Sequence, residues 1–392
     1  MSVLIELYDN ETICNSIAVL SLHFDHVVFL CDNHDKGGKV MALADYVRNR
    51  TPGIDVAIQY SDTLDYENLC GMLDQFDGRD PYFEMTGGQG ALLIAVTRYC
   101  LQHDAHCFFI NLPEKKFVNV NRSQELADKF TFPHYSIQEA IMTAGAIFDG
   151  NNHAPIDVHD QVATADIHNL FEIAKSDFDG WVSLTSCLAS AIAQRYRSQP
   201  AGLSLEIEQQ VLRRMDDQQA GLLRRVTATG AVSSRQDGDR TILAFRNGLV
   251  MSLFRISGNI LEYATFLALY ESGIFTDVKM SVVIDYDFKD TSAQRSCCEI
   301  DVIAIQSVIP AFISCKIGSV HESDLYEIKL NTMKIAGTYA AAVLVTAYDM
   351  RRDNPVLYHK ADELGITVID RQDLIANRTA AIVADRLATA AV

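Results

Sequence analysis

Two short segments in the last third of the chain carry acidic residues and a lysine at strand-like spacing. Glu299 and Asp301 are two positions apart, and so are Ser314 and Lys316. Because side chains alternate between the two faces of a strand, the residues of each pair share a face. Proline favours turns over strand interiors, so residues 308–310 are predicted to form a hairpin turn between the two strands. The sequence therefore predicts two carboxylates and a lysine on adjacent strands.

These side-chain types suit the hydrolysis of a phosphodiester. Carboxylates hold Mg²⁺ or Mn²⁺, which lowers the pKa of bound water and neutralises charge that develops on the phosphate. A lysine beside the metal supplies a positive charge near the attacked group. A further acid, Glu262, shares one face of a predicted helix with Phe266 and Leu269. A carboxylate on an apolar face needs a partner, and a metal ion would serve as one.

The elements around these segments follow the order αβββαβ. They are a helix at 258–270, a β-rich run at 277–287, the hairpin, a helix at 323–335 and a strand at 341–346. This order resembles the common core of the restriction-endonuclease-like PD-(D/E)xK nucleases. The resemblance implies that Asp301 is the metal-binding aspartate, that Lys316 is the lysine of the motif, and that Glu262 is the acid of the helix.

One position departs from the family pattern. Ser314 stands where the family usually has Glu or Asp, which removes an anionic ligand. Glu299, on the same face as Asp301, could replace that ligand. The Ser314 hydroxyl or the Cys315 carbonyl could also donate oxygen to Mg²⁺ or Mn²⁺.

A simpler interpretation of the hairpin stays open at this point. Glu299 and Asp301 would line the solvated face of an edge strand, with Lys316 as a cross-strand ion partner in a contact of about 0.2–1 kcal/mol. A separate alternative is a ligand-responsive nucleic-acid-binding regulator with a decayed nuclease site, in which Ser314 is the lesion.

The first 150 residues predict a different unit. Apolar strand-like runs alternate with helical segments, which is typical of a doubly wound parallel sheet. The predicted strands are 3–7, 26–30, 55–58, 82–85 and 106–112, and the predicted helices include 40–50 and 91–101. Ligands bind such sheets beyond the carboxyl ends of the strands. We therefore expect a binding site formed by the loops 8–12, 31–36 and 86–90.

The loop after the fourth strand contains Thr86, Gly87, Gly88 and Gln89. Adjacent glycines let a ligand approach the backbone, and the N–H groups of the next helix's first turn can bind phosphate oxygens. The first strand lacks the GxGxxG fingerprint, and no GKS or GKT follows the glycines. The alternative is a tight turn that uses glycine only for its geometry.

A strand, Thr-Gly-Gly and a helix in this position resemble the CRISPR-associated Rossmann fold, which binds cyclic oligoadenylates. This sensor followed by a restriction-endonuclease-like domain is the architecture of the cyclic-oligoadenylate-activated nucleases of type III CRISPR defence. Some of them read Ile-Ser-Cys-Lys at the lysine strand, as residues 313–316 do here.

The resemblance carries several implications for activity and partners. It implies a homodimer that binds one cyclic tetra-adenylate across its two-fold axis and is allosterically activated to cleave RNA or DNA. It places Asp9, Asn10, Thr12 and the turn 86–89 at the ligand. Whether the sensor also degrades its ligand stays open.

Length and composition set the remaining expectations. A chain of 392 residues has room for two or three domains. The predicted class is α/β, with a Rossmann-like doubly wound parallel sheet in residues 1–150, a helical or winged-helix-like connector in 151–245 and a restriction-endonuclease-like αβββαβ domain in 246–392. The absence of a basic leader, of a long apolar run and of CxxC pairs favours a reducing cytoplasm and no membrane span.

The charge is unevenly distributed along the chain. The net charge is −18, and residues 1–150 hold 21 acidic and 10 basic residues. Segment 195–246 instead holds nine arginines and six acids. Six of these arginines lie in the predicted helix and hairpin of the connector: Arg213, Arg214, Arg224, Arg225, Arg235 and Arg240. Such a strip could bind phosphates, and a solvated surface is an equal alternative.

Overall fold

The structure is a computed structural model. It describes residues 2–9, 13–32, 38–62, 65–112, 114–151, 156–198, 203–208, 212, 215–285 and 297–389. The loop residues Asn10 and Thr12, most of the loop 31–36, and Arg213 and Arg214 lie outside these ranges, as do residues 286 and 287 of the predicted β-rich run.

The first sheet has six strands in the spatial order β3-β2-β1-β4-β5-β6. They are β1 Val3–Leu7, β2 His26–Asp32, β3 Asp55–Ser61, β4 Tyr82–Glu84, β5 His106–Asn111 and β6 Lys116–Asn121. The first five are parallel, and β6 is an antiparallel edge strand. The strand order reverses direction between β1 and β4, which is where such sheets bind ligands.

Helices cover both faces of this sheet. They are α1 Cys14–Ser21, α2 Lys39–Arg50, α3 Tyr66–Leu73 and α4 Gly90–His103, with two short helices, α5 Gln124–Ala127 and α6 Ile137–Thr143, after β6. Leu4 and Ile5 of β1 point into separate cores on opposite faces. Burial on both faces explains why β1 is apolar at every position except Glu6, and it confirms the predicted doubly wound sheet.

Helices and a small antiparallel sheet connect the two larger sheets. The helices are α7 Gln161–Ser176, α8 Phe178–Ser198 and α9 Asp217–Ala228. The strands β8 Ser204–Glu208, β9 Val232–Asp237 and β10 Arg240–Phe245 pair in the order β8-β10-β9. A helix followed by a two-stranded hairpin therefore occupies the segment predicted as a winged-helix-like connector.

The second large sheet has the order β15-β14-β13-β12-β11-β7. Its strands are β7 Ile147–Asn151, β11 Asp277–Asp285, β12 Cys297–Gln306, β13 Ile309–Lys316, β14 Ala341–Thr346 and β15 Ile366–Ile369. Its helices are α10 Gly248–Arg255, α11 Asn259–Glu271, α12 Glu322–Ala336, α13 Met350–Asp353, α14 Pro355–Glu363, α15 Arg371–Ile375 and α16 Thr379–Thr389. The segment from α11 to β14 has the predicted αβββαβ order. β7 precedes the predicted connector but pairs with β11.

The hairpin turn differs from the prediction. It lies at Ser307 and Val308, and Ser307 has a φ of 61°. Pro310 is inside β13, opposite Ile305, so the predicted turn at 308–310 was wrong. Pairing with β14 begins only at Ala311, so the missing N–H of Pro310 removes no bond from that ladder.

The sheet order also excludes the edge-strand interpretation of the two acids. β12 lies between β11 and β13 and pairs with both. Glu299 and Asp301 therefore lie on an interior strand, where Asp301 is half-buried and Glu299 is exposed to solvent.

Candidate functional site

Asp301 lies where β12 and β13 stop pairing. The described pairs run from Gln306 opposite Ile309 to Val302 opposite Ile313. Beyond that point, Asp301 Oδ2 accepts hydrogen bonds from the Cys315 N–H at 2.6 Å and from the Ser314 hydroxyl at 3.3 Å. The Cys315 N–H therefore bonds to the Asp301 carboxylate instead of to a backbone carbonyl of β12, and this hydrogen bond fixes the position of the carboxylate.

Cys315 contributes through its backbone rather than its thiol. The N–H and C=O of one strand residue point to the same neighbouring strand, so its carbonyl also faces the open end of the ladder beside Asp301. The buried thiol donates to Thr265 Oγ1 of α11 at 3.7 Å. Burial raises the pKa of this thiol well above its ordinary value, so the sulfur stays protonated.

Glu262, in the first turn of α11, interacts electrostatically with Asp301, Glu299 and Lys316. Burial raises its pKa to about 8, and the charges of Asp301 and Glu299 add to the shift, whereas Lys316 opposes it. Burial also raises the pKa of Asp301, and this effect exceeds the lowering of the pKa by the Cys315 N–H hydrogen bond and the Lys316 charge. The structure therefore brings three predicted acids and the predicted lysine into one electrostatic cluster.

Lys316 has a partner that the sequence analysis missed. Its Nζ lies 3.5 Å from Asp324 Oδ1 on α12. Asp324 also accepts a hydrogen bond from the His321 N–H at 2.7 Å, which fixes it at the start of the helix. Asp324, Glu327 and Asn331 line the cleft with Lys316. Their i, i+3, i+7 spacing on the predicted helix was the available signal.

The donor atoms fit a hard divalent cation. Three carboxylates, a serine hydroxyl and a backbone carbonyl are all oxygen ligands, which Mg²⁺ and Mn²⁺ prefer. The three acids are nevertheless spread more widely than in a closed metal site. Within the described ranges, the group whose ligand atoms all lie within 4.8 Å of one another is Asp74, Asp77 and His103, at the surface of the first sheet. A cation held by all three acids would have to draw their carboxylates closer together.

The raised pKa of Glu262 leads to a stability prediction for the metal-free protein. Because the folded pKa of about 8 exceeds the ordinary value of 4.5, folding loses stability as pH rises between these values. Glu262→Gln removes this loss, so its advantage over the wild type should grow from pH 5 to pH 8.5, to about 1–3 kcal/mol. Thermal unfolding in EDTA measures it. Added Mn²⁺ should stabilise the wild type more than the variant, and equal stabilisation would exclude Glu262 as a ligand.

The Thr86 turn lies at the strand-order reversal of the first sheet. A Cβ on Gly87 would lie 2.7 Å from the Leu7 carbonyl oxygen and 3.0 Å from Asp9 Cβ. Gly88 has a φ of +95°, and its Cβ would lie 2.9 Å from Leu7 Cβ. Both glycines are therefore required by the close approach of this turn to the end of β1.

Asp9 is fixed beside the turn by a residue that the sequence analysis missed. The buried Asn15 of α1 accepts from the Asp9 N–H at 3.0 Å and donates to the Asp9 carbonyl at 2.6 Å. Gln89, the exposed residue before α4, makes no side-chain cap to the helix. Loop 86–89 and the start of α4 thus face the same end of the sheet as Asp9.

Some arginines of the connector form ion pairs or hydrogen bonds with other residues of the protein. Arg240 pairs with Glu206 at 2.7 Å, and Arg225 donates to the Ser176 hydroxyl at 2.8 Å. Arg224 and Arg235 are exposed. All four of these arginines are exposed to solvent, and the predicted phosphate-binding strip stays a prediction.

Comparison with known proteins gives a likeness in structure. No protein-family model and no curated protein matches the chain. Among solved structures, protein VC1899 from Vibrio cholerae matches with a TM-score of 0.79 at 14% identity, over 100% of this chain and 98% of that one. Can2 from Sulfobacillus thermosulfidooxidans, solved in complex with cyclic tetra-adenylate, matches with a TM-score of 0.66 at 13% identity, over 97% of this chain and 99% of that one.

Both matches extend over the whole chain and include the two large sheets and the connector. At such low identity, the likeness concerns the fold. Within the described residues, no helix combines the length and the apolar character needed to cross a bilayer. The chain therefore has the whole-chain fold that its two motifs predicted, shared with VC1899 and Can2.

Proposed function

We propose that the chain is a cyclic tetra-adenylate-activated, metal-dependent endonuclease that cleaves RNA or DNA in antiviral CRISPR defence in the cytoplasm. The observation that carries this proposal is the convergence of Glu262, Asp301 and Lys316 at the open end of the β12–β13 ladder. The fold shared with Can2, a protein solved with cyclic tetra-adenylate, supports the choice of activator.

Each residue of the cluster has a separate role in this proposal. Asp301 and Glu262 would hold Mg²⁺ or Mn²⁺, with Glu299 and the Cys315 carbonyl as further oxygen donors. When bound, the metal supplies a water of lowered pKa and neutralises phosphate charge. Lys316 lies on the same strand face as Ser314 and stabilises the negative charge that builds up on the attacked phosphate.

Asp324 would keep Lys316 in place before the substrate arrives. Its carboxylate is fixed by the His321 N–H, so the lysine ammonium is held near the cleft. A phosphate that enters the cleft would compete with Asp324 for the same ammonium. The resting ion pair therefore orients Lys316 without neutralising it permanently.

Contacts between the sensor half and the nuclease hairpin provide a basis for activation. The Tyr135 N–H donates to the Ser307 carbonyl at 2.8 Å, and Lys115 Nζ donates to Ser307 Oγ at 2.9 Å. Ser307 is the hairpin turn, six residues along β12 from Asp301, or roughly 20 Å in an extended strand. A movement of the sensor would therefore act directly on the strands that carry the site.

The Lys115 contact yields a prediction about coupling. Lys115→Met should lower the activated cleavage rate by about three- to tenfold, because it removes a charged hydrogen bond to the hairpin turn. The affinity for cyclic tetra-adenylate should stay unchanged. Lys116→Met is the matched control, because Lys116 is the next residue along the chain and pairs with the nearby Glu114. Wild-type activation in Lys115→Met, measured with a fluorescent substrate, would show that activation does not pass through this contact.

The proposed homodimer is supported by an exposed apolar strip on α4. Ile94 is 64% exposed and Leu101 is 80% exposed, at i, i+7 spacing on one face. Because α4 begins directly after the Thr86 turn, a second copy packed on this strip with its α4 parallel to the first would bring the two turns near each other. A ligand with two-fold symmetry suits such an arrangement.

A further inference from the structure

Two acids are buried side by side directly before the ligand turn. Glu6 of β1 and Glu84 of β4 are paired in register, and both are 0% exposed. Within the described chain, no N–H or hydroxyl group of another residue bonds either oxygen of Glu6. Burial raises the pKa of both carboxyls, and most strongly that of Glu6, where the Glu84 charge adds to the effect. A proton on Glu6 would let this carboxyl donate a hydrogen bond to Glu84.

Glu84 holds the turn through Thr86. Its Oε1 accepts the Thr86 N–H at 3.0 Å and also the Thr86 hydroxyl. The same hydroxyl accepts the Ile110 N–H of β5 at 2.7 Å. A threonine hydroxyl has one hydrogen, and here that hydrogen points into the protein. The Thr86 hydroxyl therefore has no hydrogen to donate to a ligand in this arrangement.

We propose that Glu6, Glu84 and Thr86 are positioning residues that fix the 86–88 turn from beneath. The ligand's phosphates then contact the backbone N–H groups of Gly87, Gly88 and the first turn of α4, and not the Thr86 hydroxyl. This assignment rests on the proposed function and gives Thr86 an indirect role in it.

The energetics of burial support this assignment. Burying two neighbouring carboxyl groups costs desolvation free energy that apolar side chains of similar volume would not cost. The Glu6–Glu84 pair therefore contributes little to the stability of the first sheet that an apolar pair would not also supply. What the pair provides and an apolar pair would not is a carboxylate oxygen at a fixed position, which accepts hydrogen bonds from the Thr86 N–H and hydroxyl.

The first test compares affinity with stability. The double variant Glu6→Met/Glu84→Met should bind cyclic tetra-adenylate at least tenfold more weakly in isothermal titration, while its Tm without ligand stays the same or rises. If Thr86 instead contacts the ligand directly, freeing its hydroxyl would leave the affinity unchanged or improve it, which would overturn the proposal. Glu6→Gln is the matched control, because its amide still donates to Glu84, and it should bind within about twofold of the wild type.

The second test does not depend on the double variant or on any ligand. Thr86→Val keeps the shape of the side chain and removes the hydroxyl, whereas Thr86→Ser keeps the hydroxyl. In ligand-free protein, the amide hydrogens of Gly87 to Gly90 should exchange several-fold faster in Thr86→Val and at the wild-type rate in Thr86→Ser. Unchanged exchange in Thr86→Val would contradict a positioning role. Failure of the wild type to bind cyclic tetra-adenylate would instead refute the proposed function, while this exchange result would still stand.

Discussion

Lys316→Ala and Asp301→Asn should each reduce metal-dependent cleavage to background while leaving the affinity for cyclic tetra-adenylate unchanged. Loss of the lysine removes stabilisation of the attacked phosphate of roughly 3–4 kcal/mol, a rate effect of about 10²- to 10³-fold. Loss of the Asp301 charge removes a metal ligand, yet asparagine retains an oxygen that can accept the Cys315 N–H. The fold should therefore survive the Asp301 substitution.

Cleavage rates, Tm values and ligand titrations of the same preparations check this prediction. Lys279→Ala is the matched control, because Lys279 belongs to β11 of the same sheet and lies 3.7 Å from Asp277. It should cleave at the wild-type rate. Wild-type rates in Lys316→Ala and Asp301→Asn would place the site elsewhere. No cleavage by the wild type itself, with nucleic-acid binding retained, would favour a regulator with a decayed site.

Gly87→Val should abolish activation by cyclic tetra-adenylate and leave the activator-free rate unchanged. A Cβ at this position would lie 2.7 Å from the Leu7 carbonyl oxygen, a backbone atom that cannot move aside without shifting β1. The turn must therefore move away from Asp9, which we expect to raise the ligand Kd by a hundredfold or more.

The matched control for this substitution is Gly71→Ala. Gly71 belongs to α3 and a Cβ there meets no atom within 4 Å, so Gly71→Ala should bind and respond as the wild type does. Titration calorimetry and a fluorescent cleavage assay measure the two effects together. Wild-type affinity and activation in a folded Gly87→Val protein would place the sensor pocket away from this turn.

The sequence was sufficient to predict the elements that carry the site. Strand alternation put Glu299 with Asp301 and Ser314 with Lys316, because a period of two depends only on local geometry. The apolar runs of β1 to β5 identified a doubly wound sheet for the same reason. The order αβββαβ was readable because each element is adjacent in sequence to the next.

Contacts that depend on distant strand order were not predictable. Glu6 and Glu84 meet because β4 lies beside β1, and β7 joins the second sheet by pairing with β11. No local pattern encodes either pairing. Asp324 was missed as the partner of Lys316 because the direction in which α12 packs on β13 decides that contact. The hairpin turn was misplaced because Pro310 was expected to leave the strand, although its position just before the β14 pairing tolerates it.

One measurement tests the central claim most directly. Purified wild-type protein is incubated with labelled single-stranded RNA, single-stranded DNA and duplex DNA, with and without cyclic tetra-adenylate, in Mn²⁺ or in EDTA. The account predicts cleavage of at least one substrate only when activator and metal are both present, and none by Lys316→Ala under any condition. Cleavage that proceeds in EDTA, or that is equal in Lys316→Ala and the wild type, would contradict it.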